Sequence, residues 1–212
     1  MIIYGSSLSP FVRKVLVSGA EKGIALELKG PGSDEAEFRE ASPFGKMPAL
    51  KDGDFTLSDS TAIVTYLEAV RPEPSLIPAE PRARARTIWY DEFADTILFG
   101  CGRKMFFNRI VAPRFLGREG NLAEAEQAER EELPPILDYL EGIIPDSGWL
   151  VEDRLTLADI AVASPFANLR HLGIDIGAAR RPKLAAFIDR MLSRPSFKDW
   201  VDRETAFLAR AA

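Results

Sequence analysis

The chain has 212 residues, of which 46% are apolar and 28% are charged, a composition typical of globular proteins. Its net charge of −5 offers no basic field for nucleic acid or an anionic membrane, and no apolar run is long enough to span a bilayer. One cysteine and one histidine allow neither an internal disulfide nor a common zinc site, so we expect a cytoplasmic protein without a bound metal.

The first third of the chain alternates strand and helix signals. Along the chain these predict a strand at 2–4, a helix between 10 and 23, a strand at 25–29, a helix at 34–41, strands at 48–51 and 54–57, and a helix from 59 onward. The last two strands flank the pair Asp52-Gly53, which indicates a β-hairpin. The predicted order is therefore β-α-β-α-β-β-α.

The segment from Arg71 to Pro81 contains four prolines, which predicts a stiff connection between two domains. We place the first domain at residues 1–76 and the second at residues 82–212. The second domain is predicted to be all-helical, with helices at 82–111, 122–144, 157–172, 182–193 and 198–210. Thr156 and Asp159 have the spacing of a capping box at the start of the third of these helices.

Ser9 and Pro10 stand directly before the first helical run. Serine is a preferred N-cap and proline is preferred at the first helical position, so the plain interpretation is a well-formed helix start. A helix N-terminus also offers unpaired N–H groups and a partial positive charge, which stabilise a thiolate and lower the pKa of its thiol. A serine hydroxyl at this place can donate a hydrogen bond to such a thiolate.

The segment Ser9-Pro10-Phe11-Val12 occupies the place where thioredoxin-like domains carry Cys-Pro-x-Cys. Neither cysteine position holds a cysteine, so thiol–disulfide exchange by the protein itself is not expected. A thiol brought by a ligand remains compatible with the segment.

The run from Ser9 to Val15 resembles the glutathione transferases, in particular the serine-type tau and zeta classes and related bacterial forms. The resemblance implies a thioredoxin-like domain followed by an all-helical one, with glutathione as the cofactor. It implies that Ser9 activates the glutathione thiol and that Phe11 lies beside the cofactor. Tyr4, Ser6 and Ser7 are nearby hydroxyls that compete for the role of Ser9.

The run from Pro43 to Leu50 resembles the Gly-Lys-Val-Pro segment of that family. By resemblance, the Met47–Pro48 bond is cis, the backbone of Met47 pairs with the cysteinyl part of glutathione, and Lys46 approaches the glycine carboxylate. The plain alternative is a loop that enters an edge strand.

The run from Leu57 to Ile63 opens a helix after the hairpin, where unpaired N–H groups bind carboxylates well. By resemblance, Ser60 binds the γ-glutamyl carboxylate and Asp59 binds the ammonium group. The family usually shows Glu-Ser here, and aspartate is one carbon shorter. A capped helix start is the plain alternative.

Phe99, Arg103 and Phe106 fall on one face of the first long helix of the second domain. In tau-like enzymes this stretch lines the electrophile pocket, whereas the alternative is that both phenylalanines belong to the core. The intervening Gly100 and Gly102 predict either a bend or room for a substrate.

Taken together, the resemblance implies an enzyme that binds glutathione and lets its thiolate attack a small, apolar electrophile. Peroxidase or isomerase chemistry could use the same thiolate. Members of the family are usually homodimers, so we expect a second copy as partner. The competing hypothesis is a non-catalytic member of the fold, either a ligand carrier or a transcription-associated adaptor.

Overall fold

The computed structural model describes residues 1–30 and 32–210. Pro31 and the last two residues of the predicted second domain, Ala211 and Ala212, lie outside the described residues. The first seven elements are β1 (Ile2–Tyr4), α1 (Pro10–Glu21), β2 (Glu27–Lys29), α2 (Glu35–Ala41), β3 (Ala49–Asp52), β4 (Phe55–Ser58) and α3 (Ser60–Val70). This is the β-α-β-α-β-β-α order that the sequence predicts.

The four strands form one sheet in the order β2-β1-β3-β4. β1 runs parallel to β2 and antiparallel to β3, and β3 and β4 form the hairpin predicted from Asp52-Gly53. Alternation along β1 sends Ile3 to one face, where α1 and α3 cover it, and Tyr4 to the other, where it packs with Ala41 of α2. Both faces of the sheet are therefore covered.

Helices make up the second half of the chain, as predicted. A continuous helix spans residues 81–115, and two further helices join end to end over residues 122–143. In chain order the segments are α4 (Pro81–Phe93), α5 (Phe99–Phe106), α6 (Ala112–Phe115), α7 (Leu122–Gln127), α8 (Leu133–Ile143), α9 (Leu157–His171), α10 (Pro182–Leu192) and α11 (Pro195–Arg210). Within the described ranges, no helix is long and apolar enough to cross a bilayer.

The long helix does not break at its glycines. α5 runs through Gly100 and Gly102 without interruption, and Gly102 lines the cavity described below. Irregular π-helical turns lie instead on either side of α5, at Ala94–Leu98 and Phe107–Val111. Of the two alternatives that the sequence left open, the structure favours room beside Gly102 over a bend at the glycines.

α9 is the central helix and joins the two halves of the molecule. Its start is capped by the carboxylate of Asp159, which accepts hydrogen bonds from the N–H groups of Thr156 and Leu150, both at 2.9 Å, and from the Thr156 hydroxyl at 3.0 Å. Leu157 is fully buried in the core of the first half, and its N–H donates to the carbonyl of Leu76. α9 also packs along α1. The position of α1, and of Ser9 at its start, is thereby fixed by the helical half.

Candidate active site

A cavity of about 570 Å³ lies between the two halves. Its walls come from the loop before α1, from the loop before β3, from the long helix, and from α9 and α11. The lining residues are Ser6, Leu8, Ser9, Pro10, Met47, Phe99, Gly102, Arg103, Phe106, Phe107, Val111, Phe115, Pro165, Asn168 and Phe207. The cavity is therefore mostly apolar and aromatic, with a few polar groups at the α1 end.

Ser9 is the N-cap residue of α1, with φ −78° and ψ 124°, and Pro10 is the first helical residue. The Ser9 N–H donates to the carbonyl of Ser6 at 2.9 Å, which closes the turn before the helix. Its hydroxyl makes no cap hydrogen bond, nor any other to a residue that the structure describes. An unengaged hydroxyl at a helix N-terminus thus lines an apolar cavity, where it is able to donate to an anion.

Two of the competing hydroxyls, those of Tyr4 and Ser6, are each engaged in a hydrogen bond. Tyr4 is buried, and its hydroxyl donates to the carboxylate of Glu37 at 2.6 Å. Burial raises the pKa of Tyr4 well above its usual range, and the Glu37 charge raises it further, so this phenol is no source of an anion near neutral pH. Ser6 does line the cavity, and its Oγ accepts from the N–H of Leu8 at 3.4 Å.

The loop before β3 holds Met47 against the same cavity. The Met47–Pro48 peptide bond is cis, as the sequence motif predicts. The hydroxyl of Ser42 donates to the carbonyl of Lys46 at 2.7 Å and accepts from its N–H at 3.0 Å, which fixes the backbone just before Met47. The side chain of Lys46 is exposed and Pro48 is buried, and neither lines the cavity.

Asp59 and Ser60 begin α3 away from the cavity walls. Asp59 has a φ of 84°, and its Oδ1 accepts from the N–H groups of Thr61 and Ala62 at 2.9 and 3.0 Å. Two of the N–H groups that the sequence offers to a carboxylate are therefore already capped by Asp59. Ser60 is buried, and its hydroxyl lies 3.5 Å from Oδ2 of Asp95 on the long helix.

A buried charge cluster stands behind the start of α3. The ammonium of Lys14 lies 2.6 Å from a carboxylate oxygen of Asp91 and 2.6 Å from one of Asp95. Thr61 donates its hydroxyl to Asp91 at 2.7 Å. Lys14 and Asp91 are almost completely buried, whereas the Asp95 side chain is 20% exposed. When both carboxylates are ionised, the cluster has a net charge of −1. Asp95 is the carboxylate that lies on the side of Ser60.

Replacing Asp95 with asparagine is expected to raise the free energy of unfolding at pH 7 by up to about 3 kcal/mol. Burial raises the pKa of Asp95 from 3.8 to about 6, although the Lys14 ammonium opposes this, and the Asp91 charge adds to it. Because the pKa is raised on folding, the folded state holds this proton more tightly. Ionisation of Asp95 therefore lowers stability as the pH rises from about 4 to about 6, and above that the loss is constant.

Urea unfolding of both proteins from pH 4 to pH 7 measures this effect. Burial also raises the pKa of Asp159 to about 6, so Asp159 titrates in the same pH range. Asp159 is present in both proteins, so the difference between their free energies of unfolding isolates the contribution of Asp95. The matched variant Asp91→Asn is expected to be destabilised, since Asp91 accepts from both Lys14 and Thr61. A loss of stability in Asp95→Asn at pH 7 would mean that attraction to Lys14 outweighs the cost of burial.

Aromatic rings form most of the remaining wall. The Phe99 ring meets the Phe11 ring edge-on at 4.4 Å between centroids, which places Phe99 near the start of α1. Phe106 is 7% exposed and packs with Ile110 and Leu208, so it belongs both to the cavity wall and to a small core. Phe11 itself contacts Phe99 but does not line the cavity.

Several lining residues were not singled out in the sequence. Phe115 and Phe207 stack almost parallel, with centroids 5.7 Å apart, although they come from opposite ends of the helical half. Asn168 of α9 lines the cavity and donates to the carbonyl of Leu8 at 2.9 Å. Phe115 stands nine residues after Phe106, on the opposite side of a regular helix, so periodicity gives no signal for it. Phe207 and Asn168 carried no signal either.

Both halves of the chain match known protein families. Residues 3–75 match the family described as the N-terminal domain of glutathione S-transferases, and residues 97–195 match the C-terminal domain. The chain is 30% identical to the uncharacterised GST-like protein YibF of Escherichia coli, over 93% of the chain and 96% of that protein. It is also 30% identical to human glutathione S-transferase theta-1, over 89% and 81%. The structure is similar to a glutathione S-transferase from Rhodospirillum rubrum, with a TM-score of 0.84, 26% identity and coverage of 94% and 90%.

Proposed function

The chain belongs to the glutathione S-transferase family, and we propose that Ser9 activates the glutathione thiol for reaction with a small electrophile held in the apolar cavity. The chain is an enzyme of the transferase class, and glutathione is its cofactor. The observation that carries the role of Ser9 is its unengaged hydroxyl at the N-terminus of α1, on the cavity wall. The residues before and after Ser9 are held by backbone hydrogen bonds and by packing on α9.

The residues around Ser9 fit a thiol-bearing ligand. Glutathione supplies a nucleophilic sulfur, whose thiol has a pKa of about 8.5 when free. The N-terminus of α1 favours negative charge there, and the Ser9 hydroxyl adds one directed donor. Each unit by which the pKa falls corresponds to about 1.4 kcal/mol, so one to two units require only modest interactions. Residues 1–76 are proposed to hold the cofactor, and residues 82–212 to carry most of the electrophile pocket.

The other contacts to glutathione are proposed from the motifs and their surroundings. Met47 lines the cavity near Ser9 and offers its backbone to the cysteinyl part. The exposed Lys46 is assigned to the glycine carboxylate. Ser60 is assigned to the γ-glutamyl carboxylate and Asp59 to the ammonium group. Asp59 uses Oδ1 for the cap of α3, so its Oδ2 is the oxygen proposed for the ammonium.

Ser9 and the cavity would act together in the reaction. The hydroxyl of Ser9 stabilises negative charge on sulfur by hydrogen bonding and does not itself form a bond to the electrophile. The phenylalanines exclude water from the reacting atoms and hold an apolar electrophile close to Ser9. The protein thus contributes positioning and electrostatics to the reaction.

Calorimetric binding of glutathione, followed by a conjugation assay with a nitro-activated aryl chloride, tests the proposal. We expect saturable binding and a rate of product formation well above that of the solution reaction. Binding without conjugation of aryl chlorides, alkyl halides and unsaturated carbonyl compounds would favour a ligand carrier. Absence of glutathione binding would overturn the proposal and favour an adaptor.

We also propose that the protein works as a homodimer in the cytoplasm. Phe44 is 89% exposed on the loop before β3, and Trp89 and Ile97 are about half exposed on the long helix. Large apolar side chains at such exposure are common at protein interfaces. Light scattering on a sizing column distinguishes a mass of one chain, 23.5 kDa, from that of two.

A further inference from the structure

We propose that the electrophile carries an anionic group such as a carboxylate, and that the guanidinium group of Arg103 binds it. The inference rests on the proposed function, because it names the class of electrophile that the same cavity accepts. It replaces a purely apolar substrate by one with an apolar body and one negative substituent.

Arg103 is the one ionisable side chain among the described residues that line the cavity. It is exposed, and it forms no salt bridge or side-chain hydrogen bond with a described residue. Its neighbours on the same helix differ: Lys104 pairs with Glu132 at 2.7 Å, Arg109 pairs with Glu129 at 2.6 Å, and Arg114 donates to the carbonyl of Leu208 at 3.1 Å. Arg103 is therefore the cation of this stretch whose donors remain available.

The other polar groups of the cavity do not balance this charge. Asn168 is engaged on both sides, because its Oδ1 accepts from Arg13 at 2.9 Å and its Nδ2 donates to Leu8. Ser6 and Ser9 are neutral. The guanidinium therefore offers unpaired donors at the wall of an apolar cavity that no carboxylate of the described part of the chain lines, which suits an anionic ligand group. The planar guanidinium suits a carboxylate because it can donate two parallel hydrogen bonds.

The spacing along the helix indicates where the anion would lie. Phe99 contacts Phe11, which stands two residues after Ser9, so Phe99 marks the reacting end of the cavity. Arg103 follows Phe99 by four residues, about 6 Å along a helix axis. The stacked pair of Phe115 and Phe207 lines the cavity farther along the long helix. The substrate is thus expected to place its anion about one helical turn from its reacting carbon, with an apolar portion beyond.

Binding of a matched pair of probes tests this inference without any catalysis. Naphthoate and naphthamide share their ring system and differ in charge. Calorimetry on the glutathione-free protein is expected to give a dissociation constant about tenfold lower for naphthoate, as one partly exposed charge-assisted pair would provide. Arg103→Gln is expected to remove the preference, and Arg103→Lys to keep part of it.

Conjugation gives a second readout on a matched pair of aryl chlorides, one with two nitro groups and one in which a carboxylate replaces a nitro group. In Arg103→Gln, the ratio of kcat/KM for the carboxylate to kcat/KM for the neutral compound is expected to fall about tenfold below the wild-type ratio. The neutral compound reports the proposed function, so its failure is distinguishable from failure of this inference.

Arg118 provides the matched control. Its guanidinium lies over the Phe107 ring at 5.4 Å, close to the cavity but not on its wall. Arg118→Gln is expected to leave the preference for the anion unchanged. Equal affinity of the wild type for both naphthalene probes would overturn the inference. So would a preference that survives in Arg103→Gln or disappears in Arg118→Gln.

Discussion

Replacing Ser9 with alanine is expected to lower kcat for conjugation by about 10²-fold, with the dissociation constant of glutathione changed by less than about threefold. Removal of one donor aimed at a developing or bound anion typically costs this much in kcat. The peptide contacts proposed for Met47 and Ser60 do not involve Ser9, so binding should persist. The absorbance of the bound thiolate, titrated with pH, should show the thiol pKa returning toward about 8.5.

The neighbouring hydroxyls serve as controls for this variant. Ser6 lines the same cavity, and the phenol of Tyr4 is committed to Glu37. Ser6→Ala and Tyr4→Phe are therefore expected to keep kcat within about threefold of the wild type. If Ser9→Ala conjugates as fast as the wild type while Ser6→Ala does not, the activating hydroxyl is that of Ser6. Unchanged kcat in all three would contradict activation by any of these side chains.

The features that sequence alone predicts well are those set by neighbouring residues. The start of α1 at Ser9-Pro10, the hairpin at Asp52-Gly53 and the cap of α9 by Asp159 each depend on a few consecutive residues. The periodic apolar face of the long helix likewise extends to Phe99 and Phe106. Such features can be predicted from sequence because a helix cap or a hairpin turn is formed by the same few residue types in many folds.

Groups joined only by the tertiary fold were not predictable. Lys14 pairs with Asp91 and Asp95, which are 77 and 81 residues away in the sequence. The residues that flank Lys14 in the sequence do not indicate that its ammonium group is buried. Phe207 enters the cavity because α11 returns to the end of the long helix. The use of one Asp59 oxygen in the cap of α3 was hidden for a related reason. The motif marks a helix start, but only the structure shows that its carboxylate already occupies two N–H groups.

The largest such network lies directly beneath the site. Arg13 of α1 is fully buried, and its guanidinium donates to both oxygens of Glu204 on α11, at 3.1 and 2.7 Å. It also donates to the carbonyl of Ser164 and to Oδ1 of Asn168 on α9. His171, the one histidine of the chain, contacts the same Glu204 carboxylate at 2.9 Å. Three helices from both halves of the molecule therefore meet at one side chain.

Arg13→Met is expected to lower the free energy of unfolding by about 3–5 kcal/mol, because it leaves the Glu204 carboxylate buried without its main partner. Burial alone would raise the pKa of Glu204, but Arg13 and His171 outweigh it and hold the pKa below its usual range. In the wild type this pair therefore stabilises the fold above the unfolded pKa of about 4.3, and the contribution is lost as the pH falls through the folded pKa. Urea unfolding at pH 7 measures the first effect, and a series from pH 5 down to about pH 2 measures the second.

The double variant Arg13→Met with Glu204→Leu separates charge from packing. Replacing both members of a buried ion pair by apolar side chains is often nearly neutral, so the double variant should recover most of the lost stability. It should not recover full activity, because Arg13 also holds Asn168, which in turn holds the carbonyl of Leu8 next to Ser9. A double variant that is as unstable as Arg13→Met would show that the contacts to Ser164 and Asn168, rather than the ion pair, stabilise the junction. Full stability with full activity would mean that the network does not position Ser9.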